Sequence, residues 1–324
     1  MYRIGLLGAS RIAPPAVIAP ARTNPDFEVT VVGARHADRA RSYAAEHGIP
    51  GAAGSYAELV RRDDVDIVYN ALPPAGHMEW TIAALEAGKA VLCEKPFAMD
   101  AGQAGTMTDA AARTGQVLLE AFHYRLHRVM RDAVEIVRSG ALGRLTRGEA
   151  SFSVTIRRTP DELRWRRDLG GGGLMDLGCY PVHALRSLIG EEPRVVSAQG
   201  RFEDGVDVEM AAELEFPAGV AASVACAMVA PAPSASLTLE GERGRLEIVN
   251  FLAPQRGCQF TTTIDGRTEL RPTDGPTTYE AQLAHLGEVL KGEATPLVGG
   301  ADAVANMAAI DAIYAAAGRP PFTA

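Results

Sequence analysis

The pattern of apolar and polar residues divides the chain into two parts. Up to residue 122, short apolar runs alternate with longer stretches in which apolar residues recur every three or four positions, and Gly, Pro or Asn ends most of these stretches. Repeated strand–helix–strand units are typical of a parallel sheet with helices on both faces. The predicted strands are 3–8, 28–33, 66–70, 90–93 and 116–121, and the predicted helices are 12–22, 37–47, 56–62, 77–87 and 101–114.

Beyond residue 122 the pattern changes, and most of the predicted strands show alternating apolar and polar residues. A helix over 125–139 is followed by alternating apolar and polar residues over 145–157, and two helical stretches, 279–291 and 301–317, lie near the end of the chain. Short alternating segments between residues 194 and 270, separated by turn residues, indicate neighbouring antiparallel strands. These segments are 195–202, 208–216, 220–229, 235–240 and 245–249. We therefore predict the α/β class, with a doubly wound nucleotide-binding domain over 1–122 and a second domain over 123–324.

Length, charge and cysteine spacing limit the classes of function. The 324 residues are enough for two domains, and the net charge of −8 argues against a nucleic-acid partner, which needs a basic face. A charge-free stretch over 216–239 contains three prolines, so strands explain it better than a membrane helix, and we expect no targeting segment. The four cysteines lack CxxC or zinc-ligand spacing. We therefore predict a cytoplasmic protein with reduced thiols, no metal site and no membrane partner.

A glycine turn after the first predicted strand indicates a dinucleotide. Gly8, Ser10 and Ala13 occupy the spaced positions of the G-x-G-x-x-G/A pattern, with serine in place of the second glycine. In that pattern the first glycine makes the turn, the small middle residue lets the backbone approach the pyrophosphate, and the amides of the following helix hold the phosphates. The predicted cofactor contacts of this turn are Gly8, Ser10, Arg11 and Ile12.

The end of the second predicted strand indicates which dinucleotide is bound. NAD-selective domains usually have Asp or Glu here to bind the ribose 2′-hydroxyl, whereas this chain has Ala34 and Arg35, with Arg39 one helical turn later. A carboxylate repels the 2′-phosphate of NADP, and a guanidinium pairs with it bidentately. The alternative is that both arginines are solvated charges on a helix face. We predict NADP as the cofactor, with NAD as the second choice.

The fourth predicted strand runs directly into Glu94, Lys95 and Pro96. In an open α/β sheet the carboxyl ends of the strands form the ligand crevice. A lysine held there by a following proline is positioned to act on a ligand bound in the crevice. The alternative is an ordinary pair of surface charges where a strand becomes a loop.

Four segments together resemble the Gfo/Idh/MocA family (glucose–fructose oxidoreductase and inositol dehydrogenase). They are the Glu-Lys-Pro motif at 94–96, the glycine-rich segment 171–183, the third strand with its loop at 66–77, and the crossover segment 120–125. The match leans to the branch of dimeric dihydrodiol dehydrogenase, NADP-dependent xylose dehydrogenase and glucose–fructose oxidoreductase. Members resembling inositol dehydrogenase carry histidine four residues after the segment's aspartate, where this chain has Tyr180.

The resemblance covers essentially the whole chain and implies an architecture. The N-terminal domain would be a Rossmann domain, and the C-terminal α+β domain would have an open, mostly antiparallel sheet. That second domain would bind substrate and join copies of the chain into a homodimer or homotetramer through its sheet. The resemblance also implies a cis peptide bond between Lys95 and Pro96.

The family's chemistry is hydride transfer between an alcohol carbon and nicotinamide. Such a transfer needs a group that takes or gives the hydroxyl proton, and positive charge for the developing alkoxide. The resemblance makes Tyr180 the proton donor and acceptor and Lys95 the neighbouring cation. An unperturbed phenol has a pKa near 10, and a nearby ammonium group favours the phenolate. Asp176 would orient the substrate or Lys95, or else be a carboxylate that stabilises a helix start.

Other residues are implied to surround the cofactor and the substrate. Trp165 and Arg166 would border the nicotinamide, unless they belong to a solvated basic loop. Arg125 would contact the cofactor or anchor the crossover, and His183 would be structural or supporting. The implied cofactor contacts outside the glycine turn and the second strand are Leu72, Pro73, His77, Glu94, Lys95, Arg125, Trp165 and Arg166.

The predicted function is that of an NADP-dependent oxidoreductase acting on a secondary alcohol, hemiacetal or ketone of a sugar or cyclic diol. The alternative, from another class, is a non-catalytic dinucleotide-binding sensor or transcriptional regulator with the same fold. The presence of both Lys95 and Tyr180 and the lack of a recruitment tail favour the enzyme.

Overall fold

A computed structural model describes residues 1–319 and residue 322, and the chain divides into two compact units. The chain leaves the first unit after Phe122 and returns to it at Tyr279, so neither unit is a single stretch of sequence. The first unit comprises Met1–Ala98, Gly102–Phe122 and Tyr279–Val304, and the second comprises Met99–Ala101, His123–Thr278 and the described residues from Ala305 onward.

Six short strands form a parallel sheet in the first unit. They are β1 (Tyr2–Leu7), β2 (Phe27–Gly33), β3 (Gly51–Ala53), β4 (Ile67–Asn70), β5 (Ala90–Cys93) and β6 (Leu118–Glu120). Their order is β3-β2-β1-β4-β5-β6, and the neighbouring strands pair in parallel. This order reverses direction beside β1, and ligands of doubly wound sheets bind at such a point, outside the carboxyl ends of the strands. All residues of β4 and β5 are buried, as expected for a sheet covered on both faces.

Five helices accompany this sheet. They are α1 (Ala19–Thr23), α2 (Ala37–His47), α3 (Tyr56–Val60), α4 (His77–Glu86) and α5 (Ala101–Thr114). A π-helical turn over Pro14–Ile18 precedes α1, so the first predicted helix is irregular. Prolines are tolerated at this place because the first amides of a helix have no partner within it.

An eight-stranded sheet dominates the second unit. Its strands are β7 (Leu145–Thr155), β8 (Arg194–Glu203), β9 (Val206–Phe216), β10 (Val220–Ala227), β11 (Val229–Gly241), β12 (Gly244–Val249), β13 (Gln259–Ile264) and β14 (Arg267–Leu270). Their order is β14-β13-β12-β11-β7-β10-β9-β8. β7 and β10 pair in parallel, and the other neighbouring pairs are antiparallel. The predictions of an α/β class and of an open, mostly antiparallel second sheet are confirmed.

The sheet differs from the predicted one at two places. β11 begins at Val229, ahead of the predicted start at residue 235, and its pairing with β7 shifts register between Val229 and Ser234. The prolines within that stretch are accommodated by this irregularity, since proline cannot donate a ladder hydrogen bond. β13 and β14 lie beyond the last predicted strand segment and are rich in polar residues.

The remaining helices complete both units. They are α6 (Arg128–Arg138), α7 (Cys179–Ile189), α8 (Thr278–Leu290) and α9 (Ala301–Ala316). α7 packs on β7, where a Cβ at Gly148 would lie 3.0 Å from Leu185. α8 returns to the first unit, where Leu283 and Leu286 belong to the same core as Phe27. Within the described residues, no helix combines the length and the apolar character that a membrane span needs.

Candidate active site

The glycine turn after β1 is shaped for close approach of another group. Gly8 has a φ of 98°, and a Cβ there would lie 3.2 Å from the carbonyl oxygen of Ala71 and 3.2 Å from Cδ2 of Leu72. Glycine is the residue that fits such a position without strain. The Ser10 hydroxyl accepts a hydrogen bond from the amide of Ala13 at 3.2 Å, and a hydroxyl that accepts can still donate its own hydrogen. The turn therefore fits a phosphate group.

Positive charge lies around the carboxyl ends of β1 and β2. Arg11 is exposed in the glycine turn, where Ile12 is half-buried. Arg35, at the end of β2, and Arg39, in the first turn of α2, are also exposed. The Arg39 guanidinium lies 5.9 Å from the centre of the Tyr43 ring. Pairing of these guanidinium groups with an anion outside the sheet remains a prediction.

A buried histidine joins the loops that follow β4 and β5. His77 is fully buried, with Nε2 2.8 Å from the carbonyl oxygen of Leu72 and Nδ1 3.0 Å from that of Pro96. Burial lowers the pKa of His77, although the hydrogen bonds with these carbonyl oxygens act in the opposite direction. His77 therefore holds the loop that carries Leu72 and Pro73. Direct contact of these three residues with the cofactor remains a prediction.

The acid, base and proline follow β5 directly. The Lys95–Pro96 peptide bond is cis, which confirms that prediction. The Tyr69 hydroxyl donates to Oε1 of Glu94 at 2.6 Å, and the Lys95 amide lies 3.3 Å from its Oε2. Glu94 is buried and Lys95 is half-buried. Glu94 is thus held from two sides, and the Lys95 side chain starts at the carboxyl end of the strand.

Tyr180 lies in an aromatic cluster of the second unit. It is in the first turn of α7, and its ring centre is 5.7 Å from those of Tyr124 and Phe152 and 6.0 Å from that of His123. Its hydroxyl lies 3.5 Å from Nε2 of His123, whose Nδ1 lies 2.9 Å from the hydroxyl of Thr278. Packing therefore fixes the phenol ring, and a histidine stands beside its hydroxyl. The sequence analysis missed this histidine, although it lies within the crossover segment.

His183, in α7, and Arg125, in the crossover segment, are both buried. His183 is fully buried, and its Nδ1 lies 2.6 Å from the Tyr124 hydroxyl, which fits a supporting role. Arg125 is buried in the short helical turn His123–Leu126, which fits the alternative that it anchors the crossover.

An arginine that the sequence analysis did not single out holds Asp176. Arg164 Nε donates to Oδ2 of Asp176 at 2.7 Å, and its Nη1 donates to Oε1 of Glu162 at 3.0 Å. The negative charge of Asp176 raises the pKa of Arg164. Asp176 lies in the π-helical turn Leu174–Gly178 that leads into α7. The carboxylate and Tyr180 are therefore carried by one continuous helical run.

The next two residues in the chain, Trp165 and Arg166, have other partners. Arg166 is exposed, and its Nη2 donates to Oδ2 of Asp168 at 2.6 Å. The Trp165 indole donates to the carbonyl oxygen of Ile156 at 3.2 Å, and the Arg158 guanidinium lies 5.3 Å from the centre of its ring. Their contact with a nicotinamide remains a prediction.

Lys95 belongs to the first unit, and Tyr180 and Asp176 belong to the second. Their meeting around a nicotinamide and its substrate therefore remains a prediction. In the part of the chain that the structure describes, no cluster of three or more His, Cys, Asp and Glu side chains could hold a metal ion.

Two family models match the chain. Residues 2–122 match the oxidoreductase family with an NAD-binding Rossmann fold, and residues 130–247 match the GFO/IDH/MocA C-terminal domain. The fold and the family models thus define a two-domain NAD(P)-dependent oxidoreductase. The chain belongs to the GFO/IDH/MocA family, and the predicted family and enzyme class are confirmed.

Relatives whose names state an activity align with most of the chain. The D-xylose 1-dehydrogenase (NADP(+)) 2 of Haloferax volcanii is 34% identical over 97% of this chain and 96% of its own. The mouse trans-1,2-dihydrobenzene-1,2-diol dehydrogenase is 33% identical over 78% of this chain and 76% of its own. The crystal structure of the aldose-aldose oxidoreductase of Caulobacter crescentus with glycerol superposes with a TM-score of 0.89 at 29% identity, covering 98% of this chain and 97% of that one.

Proposed function

We propose that the protein transfers a hydride between NADP and a secondary alcohol, hemiacetal or ketone of a sugar or cyclic diol. The observation that carries the proposal is the presence of the two groups that this chemistry needs. Lys95, after β5, supplies a cation, and Tyr180, in α7, supplies a proton donor and acceptor. The relatives named as xylose and dihydrobenzenediol dehydrogenases support the substrate class, and the NADP(+) in one name supports the cofactor. Residues 1–122 would bind the cofactor, and residues from 123 onward the substrate.

The first unit has the features that a phosphorylated dinucleotide needs. Gly8 leaves open the space that a Cβ would fill beside Ala71, and the pyrophosphate would meet the backbone amides of the turn itself, because Pro14 and Pro15 at the start of the following helical run have no N–H. Arg35 and Arg39 would pair with the 2′-phosphate. When bound, the nicotinamide gives or accepts the hydride.

Tyr180 would move the proton that accompanies the hydride. In oxidation its phenolate would take the proton of the substrate hydroxyl, and in reduction its hydroxyl would give a proton to the new alkoxide. The Lys95 ammonium would favour the phenolate and stabilise negative charge on the substrate oxygen. Asp176, held by Arg164 at 2.7 Å, would orient the substrate through its hydroxyl groups.

We also propose that copies of the chain associate through the second sheet as a homodimer or homotetramer. From Val208 to Phe216 of β9, buried and exposed residues alternate, so one face of the sheet covers a core and the other is exposed. The site of action would be the cytoplasm, where the four cysteines, none of which forms a disulfide in the described part of the chain, stay reduced. Light scattering after size-exclusion chromatography measures the number of subunits.

The substrate class is tested by steady-state turnover. Aldoses, ketosugars and cyclic dihydrodiols would each be assayed with both dinucleotides, in both directions, by the absorbance of the reduced nicotinamide. The proposal predicts turnover within this panel, faster with NADP or NADPH. Absence of turnover across the whole panel, in protein that binds NADPH, would contradict the substrate class and leave the cofactor assignment intact.

Replacing Arg35 with aspartate is expected to weaken NADPH binding and to improve NADH binding relative to it. The change removes a charge-assisted contact worth about 1.5–3 kcal/mol and adds a repulsive carboxylate, so the Kd for NADPH should rise at least tenfold. Fluorescence titration of both reduced cofactors measures the two Kd values. Arg113→Asp, the same charge change at an exposed residue of α5, should leave both nearly unchanged. Equal affinity of the wild type for both cofactors would refute the NADP assignment.

Replacing His123 with phenylalanine is expected to lower kcat about two- to tenfold and to shift the pH limb that Tyr180 sets. The phenyl ring keeps the edge contact with Tyr180, but it lacks the ring nitrogen 3.5 Å from the hydroxyl, and a hydrogen bond is worth about 0.5–1.5 kcal/mol. The measurement is kcat as a function of pH. Tyr124→Phe removes the hydroxyl that faces His183 and should leave the limb in place. An unshifted limb in His123→Phe would mean that His123 acts by packing alone.

A further inference from the structure

A buried carboxylate contacts the turn that precedes Asp176 and Tyr180. Asp207 lies at the start of β9 and is 1% exposed. Its Oδ2 accepts a hydrogen bond from the amide of Leu174 at 2.5 Å, and its Oδ1 accepts one from the Tyr314 hydroxyl at 2.6 Å. β9, α9 and the start of the helical run that contains α7 therefore meet at one carboxylate.

The glycine-rich turn is built around this side chain. Gly172 has a φ of 136°, and a Cβ there would overlap Oδ1 of Asp207. A Cβ at Gly173 would lie 3.1 Å from the Asp207 carbonyl oxygen, and one at Gly171 would lie 2.6 Å from that of Arg164. These three glycines leave the space that Asp207 and the Arg164 backbone occupy. The carboxylate and the turn therefore fix each other's position.

The same turn carries the groups proposed for the reaction. The helical run begins with the π-helical turn Leu174–Gly178 and continues as α7, and Asp207 accepts the amide of its first residue. Negative charge is favourable at a helix N-terminus, where the amides lack partners within the helix. Asp176 and Tyr180 follow on that run. A shift of its first turn would therefore move both side chains.

We propose that Asp207 is a positioning residue whose charged carboxylate holds the glycine turn, and through it Asp176 and Tyr180, in the arrangement that hydride transfer needs. The inference rests on the proposed function. Asp207 contacts the turn and the helix start, so its loss is expected to lower kcat and to leave cofactor binding in the first unit nearly unchanged.

Ionisation of Asp207 would make this arrangement sensitive to pH. Burial raises the pKa of Asp207 to about 6, although its hydrogen bonds with Tyr314 and the Leu174 amide act in the opposite direction. The other charged or titratable groups that face it are Arg167, ahead of the glycine turn, and Cys226, on β10. As pH falls through about 6, the carboxylate takes up a proton and loses acceptor capacity. Turnover is therefore expected to fall with it.

Asp207→Asn tests the inference because it keeps the shape of the side chain and removes its charge. With a substrate that the wild type accepts, kcat near neutral pH is expected to fall about tenfold, and the inflection near pH 6 should disappear. The Kd for NADPH should stay within about threefold of wild type. Wild-type kcat with the inflection retained would overturn the inference.

Two further variants keep the test decisive if Asp207→Asn folds poorly. Tyr314→Phe removes a hydrogen bond that lowers the pKa of Asp207, so the inflection should move to higher pH. Asp311→Asn is the matched control, since burial also raises the pKa of Asp311 to about 6 and its Oδ2 accepts the amide of Ala101 at 2.9 Å. This control should leave the inflection in place. If the inflection disappeared in Asp311→Asn, it would belong to Asp311 and not to Asp207, and the inference would be overturned.

A second measurement does not depend on turnover. Hydrogen exchange of the amides in residues 172–178, expressed as protection relative to an unfolded peptide, should show greater protection in the wild type than in Asp207→Asn, because the carboxylate accepts the Leu174 amide more strongly than a side-chain amide does. Equal protection in both proteins would refute the inference about Asp207. If no substrate is turned over but the wild type is better protected than Asp207→Asn, only the proposed function is refuted.

Discussion

Replacing Lys95 with methionine is expected to lower kcat by about two to four orders of magnitude. Methionine keeps most of the apolar stem but removes the ammonium group that would favour the Tyr180 phenolate and stabilise negative charge on the substrate oxygen. The Kd for NADPH is expected to change by less than about tenfold, because the phosphates are held elsewhere, by the glycine turn and the β2 arginines. Steady-state kinetics and fluorescence titration separate the two effects.

Lys89→Met is the matched control for this prediction. Lys89 directly precedes β5, and its Nζ donates to the carbonyl oxygen of Arg62 at 2.8 Å. Its replacement should leave kcat within about twofold, since a hydrogen bond of this kind affects stability rather than the reaction. Tyr180→Phe should lower kcat as strongly as Lys95→Met, and the double variant should lose little more, because groups that act as a unit are not additive. If Lys95→Met keeps kcat within about threefold of wild type, the proposed chemistry is wrong.

The parallel sheet could be predicted from the sequence because each of its main strands carries its own signal. β1, β4 and β5 are short apolar runs that end near Gly8, Asn70 and Pro96. β13 and β14 carry no such signal, since β13 is mostly polar and all residues of β14 are exposed. These two strands are defined by pairing with a neighbour, and strand preference depends on that context more than on local sequence.

The candidate site could be predicted where its residues are adjacent in sequence. Gly8 and the Glu94-Lys95-Pro96 motif are local patterns, and their loops have the expected form. The partners of the reactive groups are not local. Arg164 and Asp176 are 12 residues apart, and His123 and Tyr180 are 57 residues apart. Neither spacing corresponds to a helix or strand period, so only the tertiary fold brings them together.

The burial of Asp207 and its hydrogen-bond partners could not be predicted from the sequence for the same reason. It stands between two valines, where an alternating strand pattern places a polar residue towards solvent. The structure buries all three residues because Leu174 and Tyr314 supply the hydrogen bonds that a buried carboxylate needs. These partners lie 33 and 107 residues away, so no local feature of the sequence indicates them.

Replacing Gly172 with alanine is expected to lower the free energy of unfolding by about 4 kcal/mol. The φ of 136° is one that L side chains rarely adopt, which costs about 1–3 kcal/mol. The new Cβ would also overlap a carboxylate oxygen of Asp207, and an extra group in a packed interior costs about 1–3 kcal/mol more. Denaturant unfolding of both proteins, with the m-values compared, measures the change.

Gly190→Ala is the matched control, at the residue that ends α7. Its φ of 78° also favours glycine, but none of the described residues has an atom within 4 Å of its Cβ position, so the loss should be about 1–2 kcal/mol. A cycle with Asp207→Ala separates the two costs of Gly172→Ala. If the overlap contributes as argued, Gly172→Ala should cost about 1–3 kcal/mol less in the Asp207→Ala background. Equal losses for Gly172→Ala and Gly190→Ala would mean that only the backbone matters and that Asp207 does not constrain the turn.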